Sequence, residues 1–150
     1  MRLFFTLSTL LLLMSGCTAY DLLRHQTFTM RVPQWDKQEI IPGPYIEPSG
    51  YFSSSKDCAL NITITRERHI ALAYAAFERL RALDAQAIET YEIFDTVAMA
   101  HYTLSSTSTG DLRILSCPSG YTYLADYSCS SPAYASYSDQ ILSVLDSMQC

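Results

Sequence analysis

Cys58-Ala-Leu-Asn-Ile-Thr-Ile-Thr65 runs straight into Arg66-Glu-Arg-His-Ile-Ala-Leu-Ala-Tyr-Ala-Ala-Phe-Glu-Arg-Leu-Arg-Ala-Leu83. The first stretch alternates. Cys58, Leu60, Ile62 and Ile64 face one way and Ala59, Asn61 and Thr63 the other, the pattern of a half-buried strand. From Arg66 the period changes. Ile70, Ala73, Tyr74, Phe77 and Leu80 recur at helical spacing, while Arg66, Arg68, Glu78, Arg79 and Arg81 fall mostly off that stripe. Thr65 is placed to cap the helix, and Glu67 sits in its first turn near the positive end of the helix dipole. A strand feeding an amphipathic helix calls for a sheet on which that helix lies.

The flanking segments supply the sheet. Thr27 to Val32 alternates Phe28, Met30 and Val32 against Thr27, Thr29 and Arg31, and Pro33 ends it. Residues 33–56 hold Pro33, Pro42, Pro44 and Pro48, Gly43, Gly50 and serines 53 to 55, and read as a long semi-extended loop. Residues 87–104 carry Tyr91, Ile93, Val97, Met99 and Tyr102 in loose alternation, so one long or two short strands are expected there. A Ser/Thr/Gly turn over 105–111 returns the chain as a hairpin partner over 112–117. Pro118-Ser-Gly120 turns it again, and Tyr121, Tyr123, Ala125 and Tyr127 share one face of the next strand. After Pro132, the positions Tyr137, Ile141, Val144, Leu145 and Met148 mark a final helix, with Ser136 as its cap. The order predicts an α+β fold: a mostly antiparallel sheet with two helices packed on one face.

Composition agrees with one globular domain. The chain has 150 residues, 49% of them hydrophobic and 17% charged. Its net charge is −5, and removal of Arg2 with a signal peptide would bring it to −5 − 1 = −6. Such a charge argues against nucleic acid and anionic lipid surfaces as partners.

The N-terminus, Met1-Arg-Leu-Phe-Phe-Thr-Leu-Ser-Thr-Leu-Leu-Leu-Leu-Met-Ser-Gly-Cys17, places one positive charge before an apolar run, then two small residues and a cysteine. It is the layout of a secretory signal. The cysteine after Ser15-Gly16 resembles the lipobox of bacterial lipoproteins. The resemblance implies that Cys17 becomes the lipidated first residue of the mature chain and that a bilayer is its first partner. Inner-membrane members of that family carry Asp after the cysteine. Thr18 stands here, which implies the outer membrane, with the chain lipid-anchored at the cell envelope. The alternative is an ordinary signal cut after Ala19, releasing a soluble secreted protein. On the lipoprotein reading, residues 1–16 are signal, 17–26 a lipidated tether and 27–150 a single domain.

Cys58, Cys117, Cys129 and Cys150 remain in the exported domain and read as two disulfides in an oxidising compartment. Four cysteines allow three pairings. The expectation is Cys117 with Cys129 around the Pro118–Gly120 turn, and Cys58 with Cys150. Zinc is not expected, because no closely spaced cysteine pair occurs. His25, His69 and His101 are far apart in sequence. No G-x-S-x-G, calcium loop or phosphate loop is present, so no catalytic, metal or cofactor site is expected.

The sequence is thus read as a non-enzymatic binding or structural module whose partner is another envelope protein. Trp35, Tyr45, Tyr51, Tyr121 and Tyr123 are the candidate contact surface, because rigid aromatics bind at low entropic cost. Ser119-Gly120-Tyr121, repeated as Ser49-Gly50-Tyr51, is similar to a short motif in periplasmic inhibitors of C-type lysozymes. That resemblance implies the alternative of an inhibitor or immunity-type protein that blocks an envelope-active enzyme. The inhibitor family is all-β, whereas this chain carries two helical patterns. Cys17→Ala should leave an unprocessed precursor or a soluble form; a mutant of mature size that still sediments with membranes would refute lipidation.

Overall fold

The computed structural model describes residues 20–35, 37–42, 48–105 and 107–150. Its elements follow in the order β1 (Tyr20–His25), β2 (Phe28–Pro33), β3 (Lys37–Pro42), β4 (Pro48–Ser54), β5 (Cys58–Thr65), α1 (His69–Leu83), β6 (Ile88–Ile93), β7 (Val97–Leu104), β8 (Ser108–Ser116), β9 (Thr122–Ser130) and α2 (Ser131–Asp146). The signal, Cys17 and Tyr45 lie outside the described residues. Strands β1 and β2 form a separate hairpin, and the other seven make one antiparallel sheet ordered β3-β4-β5-β9-β8-β7-β6. The α+β class, the antiparallel sheet and the two disulfides stand as expected.

The last strand of the chain sits at the centre of the sheet. Strand β9 pairs with β5 on one side and β8 on the other. Its residues Tyr123, Ala125, Tyr127 and Cys129 are buried in a core with Ile141, Val144 and Leu145 of α2 and with Phe28, Met30 and Val32 of β2. On β8 and β7 the opposite set of side chains, Leu112, Ile114, Ala98 and Ala100, packs with Ala73, Ala76 and Phe77 of α1, and Leu124 of β9 joins them. Ladder partners share a face, so Ile114 and Leu124 lie on one face and Leu115 and Tyr123 on the other. The two helices therefore occupy opposite faces, which corrects the expectation of both on one. A sheet apolar on both sides needs cover on both. Alanines on α1 and on the sheet strands permit the close approach of that helix.

The hairpin shares the α2 face. The Phe28 ring stacks on Tyr123 with centroids 3.8 Å apart and planes 7° from parallel. Thr29 exchanges backbone hydrogen bonds with Gln149 at 2.8 and 2.9 Å, which ties β2 to the C-terminal strap beyond α2. Gln26 turns the hairpin with φ 53°, in the left-handed region. Residues 20–25, expected in the tether, are thus part of the folded body, as β1.

Three more expectations are corrected. Residues 33–56 contain β3 and β4 rather than a loop; Pro42 and Pro48 stand at strand ends, and β3 is an edge strand, where proline is tolerated. Helix α1 starts at His69 after Arg68, without a side-chain cap. Thr65 Oγ1 instead accepts the Glu67 N–H in the turn before it. Helix α2 starts at Ser131 with Pro132 in its first turn, so Ser136 lies inside it.

The disulfides join Cys58 to Cys129 and Cys117 to Cys150, not the expected pairs. Cys58 and Cys129 face each other across the β5–β9 ladder, with Cα atoms 4.0 Å apart. Register alone makes them partners. Each bridge is worth about 4 kcal/mol on a chain-entropy account. Peptide mapping without reduction should return these two linkages. Phe28→Ala should lower the unfolding free energy by about 3–5 kcal/mol, read by urea titration; a loss below about 1 kcal/mol would show that the hairpin is not part of the core.

Candidate functional site

Helix α2 covers β9 and β8 but does not reach the sheet edge at β6. The uncovered strip becomes a groove of about 540 Å³, lined by β6, β7, β8 and the C-terminal half of α2. Its apolar lining includes Met99, Leu142 and Leu145. Its polar lining holds Glu89, Glu92, His101, Asp111, Arg113 and Asp146. Four carboxylates thus stand against one guanidinium, which Asp146 already pairs. Leu142 is 52% exposed, whereas Leu145 is buried.

The polar end of the groove is built by ladder geometry. His101 on β7 and Asp111 on β8 are cross-strand partners. Their side chains meet at 2.9 Å between Nδ1 and Oδ1. The Tyr134 hydroxyl, from α2, donates to the other oxygen of Asp111. Burial first, and then Asp111, push the Tyr134 phenol above its ordinary pKa, so it remains a donor at neutral pH. A bulge in the β6–β7 ladder between Ile88 and Thr90 sets Glu89 out of register. Bulges re-aim side chains, and Glu89 Oε2 lies 3.9 Å from His101 Nε2. The imidazole thus stands between two carboxylates. These groups straddle the ring rather than converge on a point, and among the described residues no group of three His, Cys, Asp or Glu side chains is arranged to hold a metal ion.

A second polar pair lies behind the floor, on the α1 face. Tyr102 reaches over Gly110 and donates to Asp126 Oδ1 at 2.6 Å. A Cβ on Gly110 would stand 2.7 Å from the Tyr102 hydroxyl, so that crossing needs glycine. Burial raises the Asp126 pKa, partly offset by the bond from Tyr102.

The aromatic residues expected as a contact surface sit elsewhere. Tyr123 and Tyr51 belong to the buried core, which corrects their assignment as surface groups. Trp35 packs edge-on against Tyr127 at 5.3 Å. Tyr121 lies under the Arg66 guanidinium at 4.6 Å and accepts its hydrogen bond at 2.9 Å. The Ser119-Gly120-Tyr121 motif is therefore engaged within the fold. The histidines also have partners: His25 meets the Tyr123 hydroxyl at 2.8 Å, and His69 Nε2 donates to the Phe94 carbonyl at 2.9 Å. The groove residues Glu89, Asp111, Arg113, Tyr134 and Asp146 carry no motif. Asp111 closes the 105–111 stretch that reads as a turn, so its pairing with His101 has no signature in the sequence.

No family model matches the chain, and no curated protein does. Among solved structures, it is similar to cyanobacterial PsbP (CyanoP) from Synechocystis sp. PCC 6803. The TM-score is 0.62 over 90% of this chain and 94% of that one, at 9% identity. The likeness is one of fold. A Pseudomonas aeruginosa protein of unknown function aligns over 81% of this chain and 90% of its own, at 10% identity and a TM-score of 0.41.

The Asp126 shift fixes a pH dependence. A carboxyl whose folded pKa is raised binds more protons folded than unfolded, so stability falls as pH rises above the ordinary value of 3.8. Asp126→Asn keeps an acceptor for Tyr102 and removes the ionisation. Its unfolding free energy should gain on wild type as pH rises from 4 towards neutrality, by roughly 1 kcal/mol or more. Parallel pH curves for the two proteins would contradict this.

Proposed function

We propose that this chain is a non-enzymatic binding module, held at the envelope membrane by a lipid on Cys17, whose groove beside α2 takes a cationic segment of another envelope protein. One observation carries the reading: four carboxylates, Glu89, Glu92, Asp111 and Asp146, surround an apolar strip beside the edge strand β6. An edge strand offers unpaired backbone donors and acceptors to an added strand. The acidic rim selects basic side chains and speeds their encounter. Met99 and Leu142 give the aliphatic stems of lysine or arginine a surface to lie on.

The same geometry fits catalysis poorly. His101 is held by Asp111, but its other nitrogen faces the Glu89 carboxylate rather than a hydroxyl or thiol. A triad needs a nucleophile at that position. Tyr134, the nearby hydroxyl, is made less acidic by its surroundings, the reverse of activation. The soluble-secretion and inhibitor alternatives rest on the signal and the Ser-Gly-Tyr motif alone, and nothing in the groove favours them.

The test is a titration with an extended lysine- and arginine-rich peptide, followed by amide shifts. Shifts should gather on β6, β7 and α2. Glu89→Gln with Glu92→Gln should weaken binding about tenfold at low salt, and Tyr74→Ala, on the outer side of α1, should not. Unchanged affinity in the double variant would refute the groove. A hydrolytic activity lost in His101→Ala would overturn the non-enzyme reading.

A further inference from the structure

We infer that the outer face of the β1–β2 hairpin, formed by Leu22, Arg24 and Arg31, is a membrane-contact face that seats on the anionic headgroups of the bilayer. The inference rests on the lipid anchor at Cys17 and adds an orientation to it. Only Thr18 and Ala19 separate Cys17 from Tyr20, the first residue of β1. At about 3.5 Å per residue, the three steps reach at most about 11 Å. A lipid on Cys17 therefore holds β1 within a headgroup layer's thickness or so of the bilayer.

The hairpin cannot swing away from that position. Phe28, Met30 and Val32 on its inner side are buried in the core. Thr29 is bonded to Gln149, and the neighbouring Cys150 is locked to Cys117. What lies within reach of the membrane is thus the rigid body of the domain.

Charge names the occupant. The ladder puts Tyr20, Leu22 and Arg24 on one face with Pro33, Arg31 and Thr29. No carboxylate belongs to this set, so the face is locally cationic, although the net charge of −5 argues against anionic lipid for the chain as a whole. Asp21 belongs to the other set and accepts a hydrogen bond from Gln34 at 2.6 Å. Arg24 and Arg31 are exposed and enter no ion pair among the described residues. Arg31 lies 5.7 Å over the Tyr20 ring, and among the described residues its guanidinium hydrogen-bonds to Ser143. Leu22, between the two arginines, is 50% exposed. Two cations around an apolar side chain suit an anionic headgroup layer, and each arginine near such a surface is worth about fivefold in partition.

The experiment uses the mature lipidated chain in vesicles of phosphatidylglycerol and phosphatidylethanolamine, with phosphatidylcholine vesicles for comparison. Sedimentation first shows whether the chain attaches. Hydrogen exchange on the unmutated protein then reads β1: amides of residues 21–24 should slow on the anionic vesicles more than on the neutral ones, with α1 unchanged. In parallel, Leu22→Trp in a Trp35→Phe background should be quenched by brominated lipid, and Tyr74→Trp in the same background should not. Arg24→Glu with Arg31→Glu should abolish the slowing and leave attachment intact. An attached chain whose β1 amides exchange alike on both vesicles would overturn the membrane face while leaving the anchor standing. The same holds if α1 or the groove is protected instead. A chain that does not attach at all overturns the anchor, and this orientation with it.

Discussion

The structure depends on one constraint: the final strand must be buried on both of its faces. β9 enters the sheet between β5 and β8, and its side chains alternate between two separate cores. Tyr123, Ala125 and Tyr127 fill one, and Leu124 contributes to the other. Neither helix can cover both. α1 closes one face, and α2 with the β1–β2 hairpin closes the other. The Cys58–Cys129 bridge fixes β9 to the neighbour laid down much earlier in the chain. Until β9 arrives, β3 to β5 and β6 to β8 share no ladder, so closure of the sheet is a long-range event with a large loop entropy.

The groove follows from the width of that cover. The hairpin and α2 lie side by side on one face: Phe28 on Tyr123 seats the hairpin on β9, and Arg31 bonds to Ser143 of α2 and to Ser147 at its C-cap. Together they shield β5, β9 and β8. The strip over β7 and β6 stays open, and its apolar lining at Met99 and Leu142 is rimmed by carboxylates and a histidine instead of being covered by a third layer. His101 engages its ladder partner Asp111 by a hydrogen bond, and Arg113 neutralises Asp146. Glu89 and Glu92 remain. On the proposed reading, they are the groups that meet a partner.

Much of the core was legible because it obeys simple periods. The alternation of Cys58, Leu60, Ile62 and Ile64 gave the right buried face of β5, and Phe28, Met30 and Val32 gave that of β2. The α1 stripe is buried at Ala73, Phe77 and Leu80 as its period implies, but Ile70 and Tyr74 are exposed while His69 and Ala76 are buried. Small alanines on every side leave the apolar face of that helix poorly marked. What could not be read was non-local. The hairpin turn at Gln26 has no Asn-Gly signal, so β1 looked like tether. Pro33, Pro42 and Pro48 sit at the ends of strands, which composition cannot distinguish from loop. The disulfide pairing is a fact of register, and the groove is a fact of which strip a helix fails to cover. Neither has a local signature.

The central claim is that this domain is held directly against a bilayer by Cys17, with almost no tether between lipid and fold. The intact mass of the mature chain extracted from its own envelope tests it most directly. The account predicts a chain beginning at Cys17, heavier than its residues by a diacylglyceryl group on that sulfur and an acyl group on its amine, with two disulfides intact. A lipid-free chain beginning at Tyr20 would contradict it.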